Sequence, residues 1–326
     1  MIKNTLINQI SKIKFVQKIF KGKATILMLH RISPLNHQKI PANENMKVSP
    51  EFLEDFIIKA KSQGYRFISV DSMYEGLMNN TLEEKSLIVT IDDGYKDNLE
   101  FGYPIFKKHQ IPFCIYVCTS FPENTHNMWW FALEDYLLKN NRVNLLGEFL
   151  NISSKESKQE AFLKFREIII ANSNNYEDAT GIMNQLGIFY DPRDYDRLAL
   201  KYEEIRTLLK DELVTIGNHT HTHPIFSNLA QEEIIADIKK ANSAFKTHLN
   251  HTPKHFAYPF GSRIEVKKEH FELLKILGFK TAVTTRNGHI YPQHKNFMTC
   301  LPRVFVTENF ELQSTFRLRK KIIITD

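Results

Sequence analysis

From Ala24 onward the chain alternates short apolar runs with longer amphipathic ones, and this rhythm constrains its fold more than any other feature. TILMLH, RFISV, SLIVTIDD, PFCIYVCTS, LVTIGN, HFAYPFG, FKTAVTT and RVFVT read as strands. Between them, residues 50–63 with Gly64 at their C-terminal stop, 96–109, 230–249, and 265–277 ending at Gly278 have helical spacing. Strands separated by helices imply a parallel sheet, open or closed into a barrel, with helices outside. One stretch breaks the rhythm. Residues 121–205 carry helical patterns (FALEDYLLKN, KQEAFLKFREIII) without a clear strand, and are expected to be a helical insertion or lid. At 326 residues, 42% of them hydrophobic, the chain can bury one barrel-sized core or two smaller ones. With 12 Gly, 12 Pro and 3 Cys it is not a disordered, collagen-like or disulfide-framed chain.

The charge is unevenly placed. Six lysines and no acid in residues 1–23 match the whole formal charge of +6. Residues 317–326 add Arg317, Arg319, Lys320 and Lys321 against Asp326, so the body, 24–316, is net acidic. Ile2, Leu6, Ile10, Ile13, Val16 and Phe20 fall on one stripe of a basic amphipathic helix, which suits either the protein's own body or an anionic membrane surface. Neither a signal-peptide core nor a membrane span of about 18 apolar residues is present. The expectation is a cytoplasmic protein, peripheral on the inner membrane face. The lysines lack the aromatic interleaving of a nucleic-acid surface, so no nucleic-acid partner is expected. Cys114 and Cys118 share one strand and would stand roughly 13 Å apart, too far to bridge.

Three segments concentrate chemistry at predicted strand ends, where parallel α/β folds gather functional groups. In Thr90-Ile91-Asp92-Asp93-Gly94-Tyr95 an apolar strand runs into two adjacent carboxylates. Such a pair needs a cation or hydrogen-bond donors, although Asp-Gly also suits a turn in which Asp92 caps a helix. His219, His221 and His223 alternate within five positions. On a strand His219 and His223 would be roughly 13 Å apart, so a helical turn is expected, with those two converging and His221 pointing elsewhere. The third segment, Phe256-Ala257-Tyr258-Pro259-Phe260-Gly261, is by itself an aromatic turn.

In their order, TIDDGY, HTHTHP and FAYPFG resemble the signatures of the polysaccharide deacetylases of carbohydrate esterase family four: T-F-D-D-G, H-[ST]-x-x-H and an aromatic-Pro-Gly loop. The resemblance spans about residues 24–306 and is nearest the branch that includes the biofilm poly-N-acetylglucosamine deacetylases. It implies a distorted (β/α) barrel of about seven parallel strands carrying the insertion. It also implies that Asp93, His219 and His223 ligate a divalent metal, Zn²⁺ or else Co²⁺ or Ni²⁺. Asp92 would be the general base. Tyr258 and Pro259 would line the acetyl-binding groove, with the Tyr258 backbone amide helping to hold the oxyanion.

Two features depart from the family pattern. The late Leu-x-His motif that supplies the general acid is missing, the region reading NGHIYPQHKNF. In the biofilm branch that motif lies at the N-terminus, as Leu27-Met28-Leu29-His30 does here, which makes His30 the candidate acid and His289 its competitor. The arginine that orients the base is absent around Pro253-Lys254-His255; Arg303 is the candidate replacement, against a surface salt bridge.

The implied function is metal-dependent removal of an N-acetyl group from a nucleotide-, lipid- or polymer-linked amino sugar, in polysaccharide, lipopolysaccharide or glycolipid synthesis. Trp129 and Trp130 are either core residues or, for Trp130, a face for the sugar. Two alternatives stay open: deformylation or deacylation of another small amide, and a catalytically silent carbohydrate-binding or assembly protein on the same fold.

Overall fold

Strands covered on both faces need apolar residues at every position, and the first two strands have nearly that. β1 (Ala24–Leu29) and β2 (Ser86–Ile91) are buried throughout and pair in parallel from Ala24↔Ser86 to Leu29↔Ile91. The computed structural model describes residues 22–173 and 176–312. The expected basic helix (1–23, apart from its last two residues) and the basic tail (317–326) lie outside them. The barrel is completed by β3 (Phe113–Val117), β4 (Val214–Asn218), β5 (His255–Ala257), β6 (Thr281–Asn287) and β7 (Leu301–Phe305). They continue in the order β1-β7-β6-β5-β4-β3-β2, every pair parallel, and β2 returns to β1. The sheet is therefore a closed barrel of seven strands with helices outside, the expected distorted (β/α) barrel.

Alternation along the strands sorts the core. Leu27, Val89, Phe113 and Ile115 pack outward with α2 (Pro50–Ser62), which follows the short α1 (Pro41–Glu44) and buries Leu53, Phe56, Ile57 and Ala60 at helical spacing. Ile26, Ile88, Cys114, Tyr116, Ala257 and Val283 form a separate apolar cluster. Gly217 admits the Tyr116 ring, which a Cβ there would overlap. The three cysteines are buried free thiols.

Local departures have local causes. Only Arg66–Phe67 of RFISV is a strand, beside Ser86–Leu87. The Ser69 hydroxyl then accepts from Ser72 N and starts α3 (Val70–Met78). The segment 96–109 becomes a π turn, Asn98–Gly102, followed by α4 (Tyr103–Lys108). Pro104 has no N–H to offer the preceding turn, so the ladder shifts there.

The insertion contains α5 (Trp129–Lys139), α6 (Lys155–Asn172) and α7 (Tyr176–Gln185) around its own apolar cluster. Contrary to expectation it also contains strand: Arg142–Leu145 and Glu148–Asn151 form an antiparallel hairpin. Leu146 and Gly147 both take positive φ at its tip, the conformation that closes a two-residue hairpin. No helix among the described residues is long and apolar enough to cross a membrane.

Candidate active site

Asp92 and Asp93 follow β2, His30 follows β1, and His219 follows β4, so the strands deliver these side chains to one end of the barrel. Backbone bonds fix their height: Asp92 N–H donates to Leu29 O (3.0 Å) and His219 N–H to Val117 O (3.1 Å). Asp93 Oδ1 lies 3.2 Å from His219 Nε2 and 3.5 Å from His223 Nε2. One donor atom from each residue fits within 4.8 Å of the others.

This set fits a divalent cation. His219 Nδ1 faces the Ala257 carbonyl at 2.8 Å, which makes Nδ1 the protonated nitrogen and leaves the Nε2 lone pair for an ion. Burial opposes charge on His223 and lowers its pKa to about 4, so this imidazole is neutral, as a ligand must be. Burial also resists ionisation of Asp93, but the surrounding His219, His223 and His30 rings hold its carboxyl well below the ordinary carboxylate range.

The histidines converge without a helical turn. Thr220 (φ 71°) and His223 (φ 54°) are left-handed, and these two reversals bring the rings to 4.9 Å. The loop is held from outside. Asn218 Oδ1 accepts Thr220 N–H (2.6 Å), while Asp237, on α9 (Gln231–Leu249, the helix after α8, Tyr202–Leu208), accepts His221 N–H (2.6 Å), Thr222 N–H (3.0 Å) and the Thr222 hydroxyl (2.6 Å). His221 points away as expected, its Nδ1 2.8 Å from Thr119 Oγ1.

Asp92 is clamped. Arg303 Nη1 and Nη2 each donate to one of its carboxylate oxygens at 2.6 Å. The guanidinium is wholly buried; it also donates to Thr284 O (2.9 Å) and Thr90 Oγ1 (3.2 Å). Burial alone would raise the Asp92 pKa, but the arginine fork keeps it below the ordinary value. Arg303 is thus an interior residue and not part of a surface salt bridge.

His30 Nε2 stands 4.0 Å from Asp92 Oδ2, its ring edge-on to Phe305 at 5.7 Å. Burial lowers its pKa against the opposing pull of Asp93 and Asp92. His289 is not a competitor for this place. Its Nδ1 lies 2.8 Å from Thr25 Oγ1, at the start of β1, while His30 follows the end of that strand.

The aromatic loop differs from expectation by one residue. Tyr258 borders the cavity above the metal ligands, but its hydroxyl donates to Thr299 O (2.9 Å) in the core. Its N–H is already given to Val283 O (3.1 Å), so this amide is not free to hold an oxyanion. Pro259 is buried and is not among the cavity-lining residues. Phe260 lines the cavity instead, left-handed at φ 58° with its ring 5.0 Å from His223.

The cavity measures about 460 Å³. Its floor is the barrel end: His30, Asp92, Asp93, His219 and His223, with Met28 and Phe305 beside them. The insertion forms its opposite wall through Trp129, Trp130, Phe162 and their neighbours. Trp130 is half-buried there and Trp129 nearly fully buried. Sequence reasoning missed Phe260, which is one residue beyond the aromatic it chose, and Asp237, an acid on a helix that carries no motif.

The polysaccharide deacetylase family profile matches residues 79–282, more than half of the chain. YxkH of Bacillus subtilis (strain 168), a curated relative named for the same family, is 28% identical over 108 residues, covering 33% of this chain and 36% of that one. The chain therefore matches little more than a third of that relative's length. Among solved structures, the Streptococcus pyogenes deacetylase PplD in complex with acetate is similar at TM-score 0.61 and 20% identity, over 89% of this chain and 95% of that one. IcaB from Ammonifex degensii is similar at TM-score 0.58 and 18% identity, over 90% and 96%. These two likenesses speak for the fold. With the family profile running from before β2 into β6, across both aspartates and the histidine loop, the chain belongs to the polysaccharide deacetylase family.

Proposed function

We propose that the protein is a metal-dependent hydrolase that removes the N-acetyl group from an amino sugar during synthesis of a surface polysaccharide, lipopolysaccharide or glycolipid. One observation carries this reading: an ionised, arginine-clamped Asp92 stands beside the Asp93, His219 and His223 donors on the floor of a single cavity. Zn²⁺ held by those three residues, or Co²⁺ or Ni²⁺ in its place, supplies a Lewis acid for the amide carbonyl and acidifies water near neutral pH.

The chain's own groups do the rest. Asp92 takes the proton of the attacking water; Arg303 keeps it charged and stops its carboxylate from rotating. His30 gives a proton to the departing amine, which leaves poorly as an anion. Because burial weakens its hold on a proton, His30 is a stronger acid than an exposed histidine. Phe260, Phe305 and Met28 line the cavity beside the ligands and shelter the acyl group from solvent. Trp130 offers an aromatic face to the sugar ring. Water adds across the amide, releasing acetate and a free amino sugar.

The test is acetate release from N-acetylated oligosaccharides, nucleotide sugars and lipid-linked sugars, with zinc or cobalt and with a chelator control. The expected result is metal-dependent release that vanishes in Asp92→Asn. Zinc-loaded wild type that releases no acetate from any of these, or an Asp92→Asn variant that keeps its rate, would overturn the reading.

A further inference from the structure

α6 of the insertion turns one face to the cavity: Gln159, Phe162, Leu163, Arg166 and Ile170 all line it, at the three- and four-residue spacing of a single helical stripe. Arg166 is the one cation on that stripe. An acid three or four positions away on the helix could pair with it, but Phe162, Leu163, Ile169 and Ile170 occupy those positions. The other charged groups on the cavity wall are committed. Arg31 donates to Asp97 (2.7 Å), Asp92 accepts from the buried Arg303 behind it, and Asp93 sits among the metal donors. Among the described residues no hydrogen bond or ion pair holds the Arg166 guanidinium. Arg166 lines the cavity while remaining an exposed residue of α6, so its guanidinium sits at the open side of the cavity.

A guanidinium at the open side of a largely apolar cavity, with no partner among the described residues, suits an anionic oxygen group that arrives with the substrate. Its neighbours narrow the class. Leu163, beside it on the stripe, is 48% exposed, so the cation adjoins open apolar surface. A cavity of about 460 Å³ is at the small end for ligand sites, room for one sugar and its linkage.

Resting on the deacetylase reading above, we infer that Arg166 is a substrate-binding residue for a phosphate attached to the N-acetylated amino sugar. The enzyme's substrates would then be phosphate-linked sugars in preference to neutral polymer. The phosphate of a nucleotide sugar and that of a lipid-linked sugar present the same group to Arg166.

The experiment compares wild type with Arg166→Gln, both zinc-loaded and matched in Tm. The probes are a neutral N-acetyl-chitooligosaccharide, UDP-N-acetylglucosamine and farnesyl-diphosphate-linked N-acetylglucosamine. Arg166→Gln is expected to raise KM for a phosphate-bearing probe by about tenfold or more with kcat nearly kept, as loss of a charge-assisted hydrogen bond would. The loss on the neutral probe should be far smaller, and Arg166→Lys should recover part of it. Whichever phosphate probe responds identifies the linkage. Calorimetry with N-acetylglucosamine 1-phosphate supplies a readout independent of turnover, with affinity about tenfold weaker in Arg166→Gln. Equal effects on neutral and charged probes, or wild type that cleaves the neutral probe and does not bind the sugar phosphate, would overturn the inference. Wild type that binds the sugar phosphate through Arg166 yet releases no acetate from any probe would sustain the subsite and overturn the hydrolase reading.

Discussion

The floor and the wall of the cavity are built in opposite ways. On the floor much of the machinery is pinned: Asp92 by two bonds from Arg303, His219 by the Ala257 carbonyl, and the histidine loop by three bonds to Asp237. On the wall, α6 presents Gln159, apolar side chains and one exposed arginine without a partner among the described residues. Chemistry needs reacting groups held in place before substrate arrives, and strand ends supply that rigidity. Selection of a substrate needs shape and a few polar contacts, which a helical insertion can vary without touching the barrel. The floor should therefore fail through rate or metal, and the wall through KM.

The sharpest break is at the paired aspartates. Asp92→Asn should lower kcat by about 10²–10⁴-fold, the usual contribution of a general base, while one equivalent of zinc stays bound. Asp93→Asn should lose the metal instead. Metal analysis beside steady-state kinetics checks both, and metal-free Asp92→Asn protein would end this division of labour.

Arg303 comes next because it supports the floor from inside the barrel. Arg303→Met strands a buried carboxylate, which costs about 3–5 kcal/mol when one partner of a buried pair is removed. Thermal unfolding should then begin roughly 10 °C lower, at the few degrees per kcal/mol typical of a chain this size. Restoring much of the lost Tm in Asp92→Asn/Arg303→Met would show that the unpaired charge is the cause. A single variant as stable as wild type would mean that Asp92 is not held as tightly as the floor requires.

Asp237 tests whether the pinning extends to residues that touch neither metal nor substrate. Asp237→Ala frees the loop between His219 and His223, and zinc affinity should fall about 10–100-fold, as when second-layer partners of metal ligands are removed. Excess zinc should restore kcat. Unchanged affinity in a zinc competition titration would make Asp237 a helix-surface residue only.

What the sequence made legible on the floor, and what it hid, follows from the same physics. SLIVTI running into Asp92-Asp93 announced its own geometry, because a buried strand can deliver charge only at its end. The three histidines announced their convergence but not its backbone. A helical turn was the ordinary way to bring them together, and nothing in the residue types of Thr220 and His223 advertises positive φ. Arg303 stands 211 residues from Asp92, so only the absence of the usual arginine pointed toward it. The sequence pointed to Tyr258 and Pro259 for the groove and passed over Phe260, the other aromatic flanking Pro259. The bond from Tyr258 N–H to Val283 O, visible only in three dimensions, removes that amide as an oxyanion donor. The hairpin stayed hidden because Leu146-Gly147 lacks the Asn-Gly or Asp-Gly signal of its turn.

The mildest prediction probes the wall alone and uses two adjacent tryptophans. Consecutive helical residues point about 100° apart, so Trp129 and Trp130 cannot do the same work although both border the cavity. Trp129 is 6% exposed within the insertion's apolar cluster, and Trp130 only packs against that cluster. Trp129→Ala should cost about 3–5 kcal/mol as a large-to-small core change. Its Michaelis constant should stay near that of wild type. Trp130→Ala should keep its Tm but raise KM by roughly two- to tenfold, the worth of about 0.5–1.5 kcal/mol of aromatic contact. A Trp130→Ala variant that loses kcat at unchanged KM would place Trp130 with the floor, and the separation of chemistry from selection would fail at that residue.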